Sequence, residues 1–239
     1  MSKNKDGKLA DITKAKVVEM ILRYLVLVLG LLLTGIGVAF TKRSDLGVTP
    51  ISSASNVVSI RFTFFTVGTW LIVWNCLLII GQIIILRRKF KIYQLLQIPL
   101  SFLFGWFTDF GMWIVSFIPV PNYPVRLVLL FIGIVILALG VTLVVLADVV
   151  MNSGEAFVKA LSDTLNKEFG NVKVVFDSSC VVLSVILSLI LFKGVIVGVR
   201  EGTIISAVVL GFVVKFITRF IRKPIEKLFD TEHKLGGNK

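Results

Sequence analysis

The sequence predicts an all-α integral membrane protein in which six transmembrane helices form two inverted repeats of three helices each. Three observations lead to this fold class. Of the 239 residues, 56% are hydrophobic and only 17% are charged, and the mean hydropathy is +0.94, whereas soluble domains average about 25% charged residues. Six apolar runs are long enough to cross a bilayer. A hexamer of the first half also recurs in the second half.

The apolar runs define the spans and, with the basic residues, their orientation. A helix needs about 20 mostly apolar residues to span the hydrocarbon layer. The runs of this length cover residues 20–40, 63–86, 94–118, 125–148, 174–197 and 202–221. Lysine and arginine accumulate on the cytoplasmic side of membrane proteins, and most of the 26 basic residues fall on the inner side when the N-terminus is inside. We therefore expect the tails 1–18 and 222–239 in the cytoplasm.

The composition argues against several classes of function. The net charge of +12 comes from short basic clusters between apolar runs, so we expect a lipid bilayer and no nucleic acid as partner. Cys76 and Cys180 lack the spacing of metal ligands, and the only histidine, His233, lies in the polar C-terminal tail. Because nucleotide, hydrolase and metalloprotease motifs are missing, the sequence predicts no enzyme, no metal and no cofactor.

The second half of the chain repeats features of the first half. The hexamer GWFTDF at 105–110 returns as GFVVKF at 211–216, with a lysine in place of the aspartate. Upstream of the hexamers, GLLLTGIGV (30–38) aligns with GIVILALGV (133–141). These segments follow the same order in both halves, which favours an internal duplication.

The correspondence predicts the domain organisation. A similar spacing pairs Gly68 with Gly170, Trp74 with Phe176 and Asn75 with Asp177. Together the matches define a repeat at 19–118 and a second repeat at 125–221. Because each repeat crosses the membrane three times, the second must be inverted relative to the first, an arrangement common in transporters. We expect the glycines of the hexamers, Gly105 and Gly211, to let symmetry-related helices approach closely.

Each repeat contains a further short helix between its first and second span. Thr49 followed by a proline is typical of a cap and first helical position, which predicts a helix over 49–60. Asn152 or the following serine caps a second helix over 153–169, whose apolar residues recur at intervals of four up to Phe169. These helices either lie on the membrane surface or re-enter the membrane with their N-termini pointing inward. In the second arrangement the N-termini offer a site for an anionic group.

Asp109 and Lys215 are the most prominent candidate site residues. A charge at mid-membrane costs about 2.5–3.5 kcal/mol on insertion scales, so such residues face a cavity or a partner. Asp109 has a short side chain that cannot reach water, although a hydrogen bond to a neighbouring helix is the structural alternative. Lys215 has a long stem that allows its ammonium group to reach the inner surface. The opposite charges predict one central cavity lined by both residues.

Other polar residues in or beside the spans are weaker candidates for solute or ion binding. Asp177 lies four residues after Lys173, so an ion pair within the helix is the simpler interpretation. Asn75 is suited to a hydrogen bond between helices. The remaining candidates lie at helix ends: Thr49, Asp148, Asn152 and Glu155. Capping or stabilisation of a first helical turn also explains three of them, whereas Asp148 has fewer local partners.

Two motifs, DLGVTPIS (45–52) after the first span and EGTIISAVVLGF (201–212) at the start of the last, accompany this order of elements. In these features the chain resembles the YczE/YyaS/YitT family of bacterial membrane proteins, over roughly residues 20 to 225. The resemblance implies a six-span topology in the bacterial plasma (inner) membrane and a transport role. It places the chain with the short YczE-like members, which are expected to lack the soluble C-terminal domain of YitT-like relatives.

These observations predict a secondary transporter of a small polar or amphiphilic solute, coupled to protons through Asp109. The alternatives are a substrate-capture subunit of an ATP-driven uptake system and a non-transporting membrane scaffold or regulator. A scaffold does not need paired buried charges, so changing Asp109 and Lys215 separates the classes. A homo-oligomer is compatible with each of them.

Overall fold

The computed structural model describes the backbone of residues 3–229 and the side chains from Lys16 onward. This part of the chain contains eight α-helices and two short 3-10 turns, and no strand. The helices are α1 (Lys3–Arg43), α2 (Pro50–Arg61), α3 (Val67–Leu86), α4 (Gln97–Ser116), α5 (Tyr123–Ala147), α6 (Ser153–Leu165), α7 (Phe169–Leu191) and α8 (Glu201–Phe229). The 3-10 turns Arg87–Lys89 and Ile92–Leu96 connect α3 to α4.

Six of the helices are long and apolar enough to cross a membrane, as the sequence predicts. They are α1, α3, α4, α5, α7 and α8, with α1 qualifying from Lys16 onward. Their bounds differ most from the apolar runs in the last two spans. The fifth span begins at Phe169 and ends at Leu191, because Lys193 and Gly194 take positive φ angles of 54° and 92° that terminate the helix. The sixth continues through Pro224 to Phe229, into the predicted tail, and residues 230–239 lie outside the described residues.

The short helix predicted over 153–169 consists of two elements. α6 ends at Leu165, where Asn166 takes a left-handed conformation (φ 51°, ψ 44°) and donates its backbone N–H to the Ser162 carbonyl. Phe169 begins α7. The apolar residues therefore keep a spacing of four positions past the end of α6. The helix end itself is set by the left-handed turn at Asn166.

Helices α1 and α5 pack closely along their lengths at four glycines. A Cβ atom on Gly30 would lie 2.9 Å from the Val144 side chain, and one on Gly133 would lie 2.8 Å from Thr41. Similar contacts join Gly37 to Leu137 and Gly140 to Thr34. In a lipid bilayer the hydrophobic effect does not drive helices together. They associate instead through close packing, which small residues such as glycine allow. α4 flanks α1 and α8 flanks α5.

The short helices α2 and α6 are buried between other helices. Most residues of α2 are buried, and it packs mainly on α7, where Ser53 Oγ lies 2.6 Å from Ser184 Oγ. α6 packs mainly on α3. The first turns of the two short helices also meet, since a Cβ atom on Gly154 would lie 2.6 Å from the Ile51 side chain. A helix lying on a membrane surface keeps one polar face in water. α2 has no such face, whereas α6 keeps the exposed Lys159–Asp163 ion pair on one side.

The two antiparallel helix pairs α3–α4 and α7–α8 are packed differently. A Cβ atom on Gly105 of α4 would lie 2.7 Å from the Gly68 carbonyl oxygen of α3. In the described residues, α7 and α8 have almost no contact with each other. A Cβ atom on Gly170 or Gly211 would have no atom within 4 Å. Gly105 thus lies close to α3 and not to the repeat counterpart α8, and Gly211 has no close neighbour, so the expected approach between symmetry-related helices is not found in the described residues.

Candidate functional site: a polar cluster at the start of α6

A group of polar side chains lies where the first turn of α6 meets α3 and α4. We call it the central polar cluster. Its members are Asn75, Gln82, Gln97, Asn152, Ser153 and Glu155. Such groups are expensive to bury in a membrane protein unless they are paired or bind something.

Gln82 of α3 and Gln97 of α4 form a reciprocal amide pair. Each side-chain NH₂ group donates to the carbonyl oxygen of the other at 3.1 Å. Gln82 also donates to the backbone carbonyl of Ser153 at 3.1 Å. The two glutamines are 0% and 3% exposed. This pair therefore holds α3, α4 and the start of α6 together with directional bonds inside an apolar surrounding.

Asn75 connects the middle of α3 to the first residue of α6. The Asn152 side chain caps α6 by accepting from the Ser153 backbone N–H at 2.9 Å. Ser153 Oγ donates to Asn75 Oδ1 at 2.7 Å. Asn75 is 4% exposed. Helix capping and a bond between helices therefore converge on the same serine.

Three buried polar atoms around this point lack a hydrogen-bond partner among the described residues. They are Asn75 Nδ2, Glu155 Oε2 and the indole Nε1 of Trp74. Leaving such a group unsatisfied costs about 1–3 kcal/mol. The two donors lie on α3 and the acceptor lies in the first turn of α6, so the two helices together offer both kinds of bond to a small polar molecule.

A small pocket opens on the other side of Ser153. Its polar lining comes from Gln97, Ser101, Asn152 and Ser153, and its apolar lining comes mainly from α1, α4 and α5. Its enclosed space is only about that of a single water molecule, and most of the roughly 250 Å³ of empty volume around it is open to the surroundings. The pocket has one polar and one apolar wall, but in this conformation it is smaller than the sites that hold small molecules.

A second set of polar contacts surrounds α2. The Lys42 ammonium group donates to Asn56 Oδ1 and to Ser59 Oγ, both at 2.8 Å. Asn56 in turn donates to the Gly198 carbonyl at 2.9 Å. Thr49, the N-cap of α2, is buried and makes no side-chain cap bond, but its hydroxyl donates to Ser52 Oγ at 3.2 Å.

The structure brings together four of the residues predicted from the sequence. Asn75, Asn152 and Glu155 belong to the central polar cluster, and Thr49 begins α2, whose first turn contacts that of α6. The site residues predicted from the sequence did not include Gln82, Gln97, Ser153 and Lys42. The signal for the two glutamines was available, because each interrupts or borders an apolar run, but their pairing depends on the α3–α4 packing.

Asp109 and Lys215 are not brought together. Asp109 Oδ1 accepts from the Gly68 backbone N–H at 2.8 Å, and Oδ2 accepts from the Thr66 hydroxyl at 2.6 Å. Both carboxylate oxygens therefore serve the start of α3, which corresponds to the structural alternative stated for this residue. Lys215 is exposed on α8, with no hydrogen bond or ion pair to any residue the structure describes. These contacts do not place both charges in one cavity, as the sequence predicted.

The two remaining candidates lie away from the cluster. Asp177 forms an ion pair with Lys173 at 2.7 Å within α7, which is the simpler of the two interpretations. Asp148 is exposed at the C-terminal end of α5, in a left-handed conformation with φ 50°. Neither contacts the polar side chains around Ser153.

Fold and site together define the class: a multi-pass helical membrane protein with a polar cluster inside its bundle. The chain belongs to the Family of unknown function (DUF6198), whose sequence profile matches residues 21–219. The match covers all six spans, in most cases over their full length. No curated protein and no solved structure matches the chain. The matched family does not carry the name YczE/YyaS/YitT, so that resemblance stays a prediction.

Proposed function

We propose that the protein is a secondary transporter of a small polar or amphiphilic solute across the bacterial plasma membrane, with both termini in the cytoplasm. The observation that carries this proposal is the central polar cluster. It has an unpartnered amide donor at Asn75 and an unpartnered carboxylate oxygen at Glu155, beside the meeting point of two buried short helices. Intramembrane polar groups of this kind mark substrate and ion pathways.

The contacts between α1 and α5 support an inverted repeat. If Gly30 corresponds to Gly133, then Thr41 corresponds to Val144, and the contact of Gly30 with Val144 becomes the contact of Gly133 with Thr41. Both contacts are present. The same exchange converts the contact of Thr34 with Gly140 into that of Leu137 with Gly37, which is also present. Contacts that map onto each other are expected for two halves related by a two-fold axis.

The positions of α2 and α6 support the re-entrant arrangement of the short helices. The first turn of α2 lies against Ser184 of α7, and that of α6 lies against Asn75 of α3, in both cases away from the ends of the spanning helix. Interrupted helices that point their N-termini at the middle of the membrane form the binding sites of many transporters. The solute would lie at these N-termini, between the polar cluster and the apolar wall of α1 and α5.

Glu155 replaces Asp109 as the carboxyl group proposed for proton coupling. Both oxygens of Asp109 are bonded at the start of α3, whereas Glu155 Oε2 is buried without a partner next to the proposed solute site. A carboxyl group can couple a proton to solute binding only if its protonation changes the contacts that the solute makes.

A ligand screen tests the proposal. The purified protein is heated in detergent with a panel of amino acids, amines, nucleosides and short sugar acids, and the melting temperature is recorded. A solute at about 100 times its Kd raises the free energy of unfolding by about 2.7 kcal/mol. We expect at least one such solute, with the shift lost in Asn75→Leu and in Glu155→Gln but kept in the control Asp163→Asn, which changes an exposed carboxylate of the same helix.

Uptake of that solute into proteoliposomes then separates the alternatives. Transport that follows a proton gradient in the wild type, but not in Glu155→Gln, supports a coupled secondary transporter. Binding without uptake indicates a substrate-capture subunit, and a screen in which no solute shifts the melting temperature indicates a scaffold.

A further inference from the structure

The packing difference between α3–α4 and α7–α8 has a counterpart in the charges. In the first pair, Gly68 and Gly105 are in contact and Asp109 binds the start of α3. In the second pair, the corresponding glycines, Gly170 and Gly211, have open space around them. The first half of the proposed repeat is closed at this position, and the second half is open.

The second half carries two residues that correspond to the contact between Thr66 and Asp109. Asp109 accepts from the hydroxyl of Thr66, two residues before Gly68. The residue two positions before Gly170 is Glu168, and the hexamer places Lys215 where the first half has Asp109. Glu168 precedes α7 without capping it through its side chain, and both Glu168 and Lys215 are exposed. A donor–acceptor pair in one half thus corresponds to a cation and an anion in the other.

We infer that α8 closes against α7 in a second conformation of this protein, with Lys215 forming an ion pair with Glu168 and Gly211 packing near Gly170. The charge of the hexamer is reversed because its partner is reversed. Asp109 meets a hydroxyl donor and a backbone N–H, whereas Lys215 meets a carboxylate.

This closure supplies the movement that the proposed function requires, and it rests on the inverted repeat proposed there. With the N-terminus in the cytoplasm, the start of α7 lies at the inner end and the start of α3 at the outer end. The structure then represents a state closed on the outer side and open between α7 and α8 on the inner side. Transporters built from inverted repeats alternate by rocking one group of helices against the other. An exposed ion pair contributes little free energy, so the inner contact can form and break repeatedly.

Cross-linking in native membranes tests the closure. In a background carrying Cys76→Ser and Cys180→Ser, Glu168→Cys is combined with Lys215→Cys and treated with a bifunctional thiol reagent of about 5 Å reach, shorter than the ~10 Å spacing of packed helices. Cross-linked peptides are counted by mass spectrometry. The matched control combines Glu168→Cys with Ile204→Cys, because Ile204 is also exposed on α8 but lies near its other end. Lys159→Cys with Asp163→Cys is the positive control, because these side chains are both exposed and in contact.

We expect the Glu168–Lys215 pair to cross-link at least five-fold more than the Glu168–Ile204 pair. Equal yields for those two pairs, while the positive control cross-links, overturn the closure. Spin labels at positions 168 and 215 give a second readout that does not depend on a reagent. Two distance populations are expected, and a single long distance contradicts the closure. If cross-linking succeeds and no solute is transported, the closure stands and the proposed function fails. If a solute is transported and the pair does not cross-link, the proposed function stands and the closure fails.

Discussion

Asp109 holds the start of α3 with both of its carboxylate oxygens. One oxygen accepts from the Gly68 backbone N–H, and the other accepts from Thr66, which is itself the N-cap that accepts from the Thr69 N–H. A negative charge near a helix N-terminus is favourable, because the unpaired N–H groups there carry partial positive charge. The aspartate therefore stabilises a helix start from a neighbouring helix.

Removing this cap should destabilise the protein without changing solute binding. Asp109→Ala deletes two hydrogen-bond acceptors, and we expect a loss of about 1–2 kcal/mol in the free energy of unfolding, as for other caps. Asp109→Asn keeps one acceptor and should lose less. Thermal unfolding in detergent measures both variants. If either abolishes binding of a solute that still stabilises the wild type, Asp109 belongs to the site after all.

The glutamine pair allows a double-mutant test. Gln82→Leu or Gln97→Leu alone leaves the other buried amide without its partner, at a cost of about 1–3 kcal/mol. The double variant leaves no orphaned amide, so we expect it to be more stable than the sum of the single effects predicts. The Ser153 carbonyl, which loses its bond from Gln82 in two of the three variants, limits the recovery. Additive losses contradict the reciprocal pair.

At the scale of elements, α2 shows why burial was hard to predict. Its serines satisfy their hydroxyl groups within the helix: Ser53 donates to the Pro50 carbonyl, Ser55 to that of Ser52, and Ser59 to that of Asn56. A hydroxyl bonded to its own helix is less costly to bury than composition suggests. The sequence therefore predicts α2 and its first residue. The polar residues of α2, however, are equally compatible with a position on the membrane surface and with one inside the bundle.

The glycine contact between α1 and α5 predicts a sharp difference between two substitutions. Gly140→Ala forces a methyl group against the backbone of α1 at Thr34, and such overpacking costs about 1–3 kcal/mol. Gly211→Ala adds the same methyl group where nothing lies within 4 Å. We expect reduced folded yield and melting temperature for the first variant only, measured by fluorescence-detected gel filtration. Equal losses would mean that helix flexibility, rather than close approach, is what these glycines provide.

At the scale of the whole molecule, the sequence predicts the number of spans because each is set by length and apolarity alone. The central polar cluster is different. Asn75 and Ser153 are 78 residues apart, and their bond depends on how α6 packs on α3. The cost of burying a charge likewise predicts that Asp109 needs a partner, but it does not identify α3 as that partner. Correspondence between the halves constrains such pairings, but by itself it predicted neither the α1–α5 contact nor the open α7–α8 pair.

The orientation of the whole molecule is tested by cysteine labelling from outside. In the background lacking Cys76 and Cys180, we expect a membrane-impermeant thiol reagent to label Pro121→Cys in the α4–α5 connection. It should not label Arg88→Cys in the α3–α4 connection until the membrane is permeabilised. Both positions are exposed, and Pro121→Cys leaves the Asn122 cap of α5 in place. The reverse pattern overturns the cytoplasmic placement of the termini.

The bond between Ser53 and Ser184 also has a consequence for biosynthesis. These residues are 131 positions apart, so at about 5–20 residues per second α7 emerges from the ribosome on the order of 10 s after α2. During that interval α2 has no α7 to cover Ser53, and Asn56 lacks the Gly198 carbonyl to which it donates. α6, by contrast, is synthesised after α3, the helix on which it mainly packs. We therefore expect α2 to reach its final position in the bundle only once α7 is in the membrane.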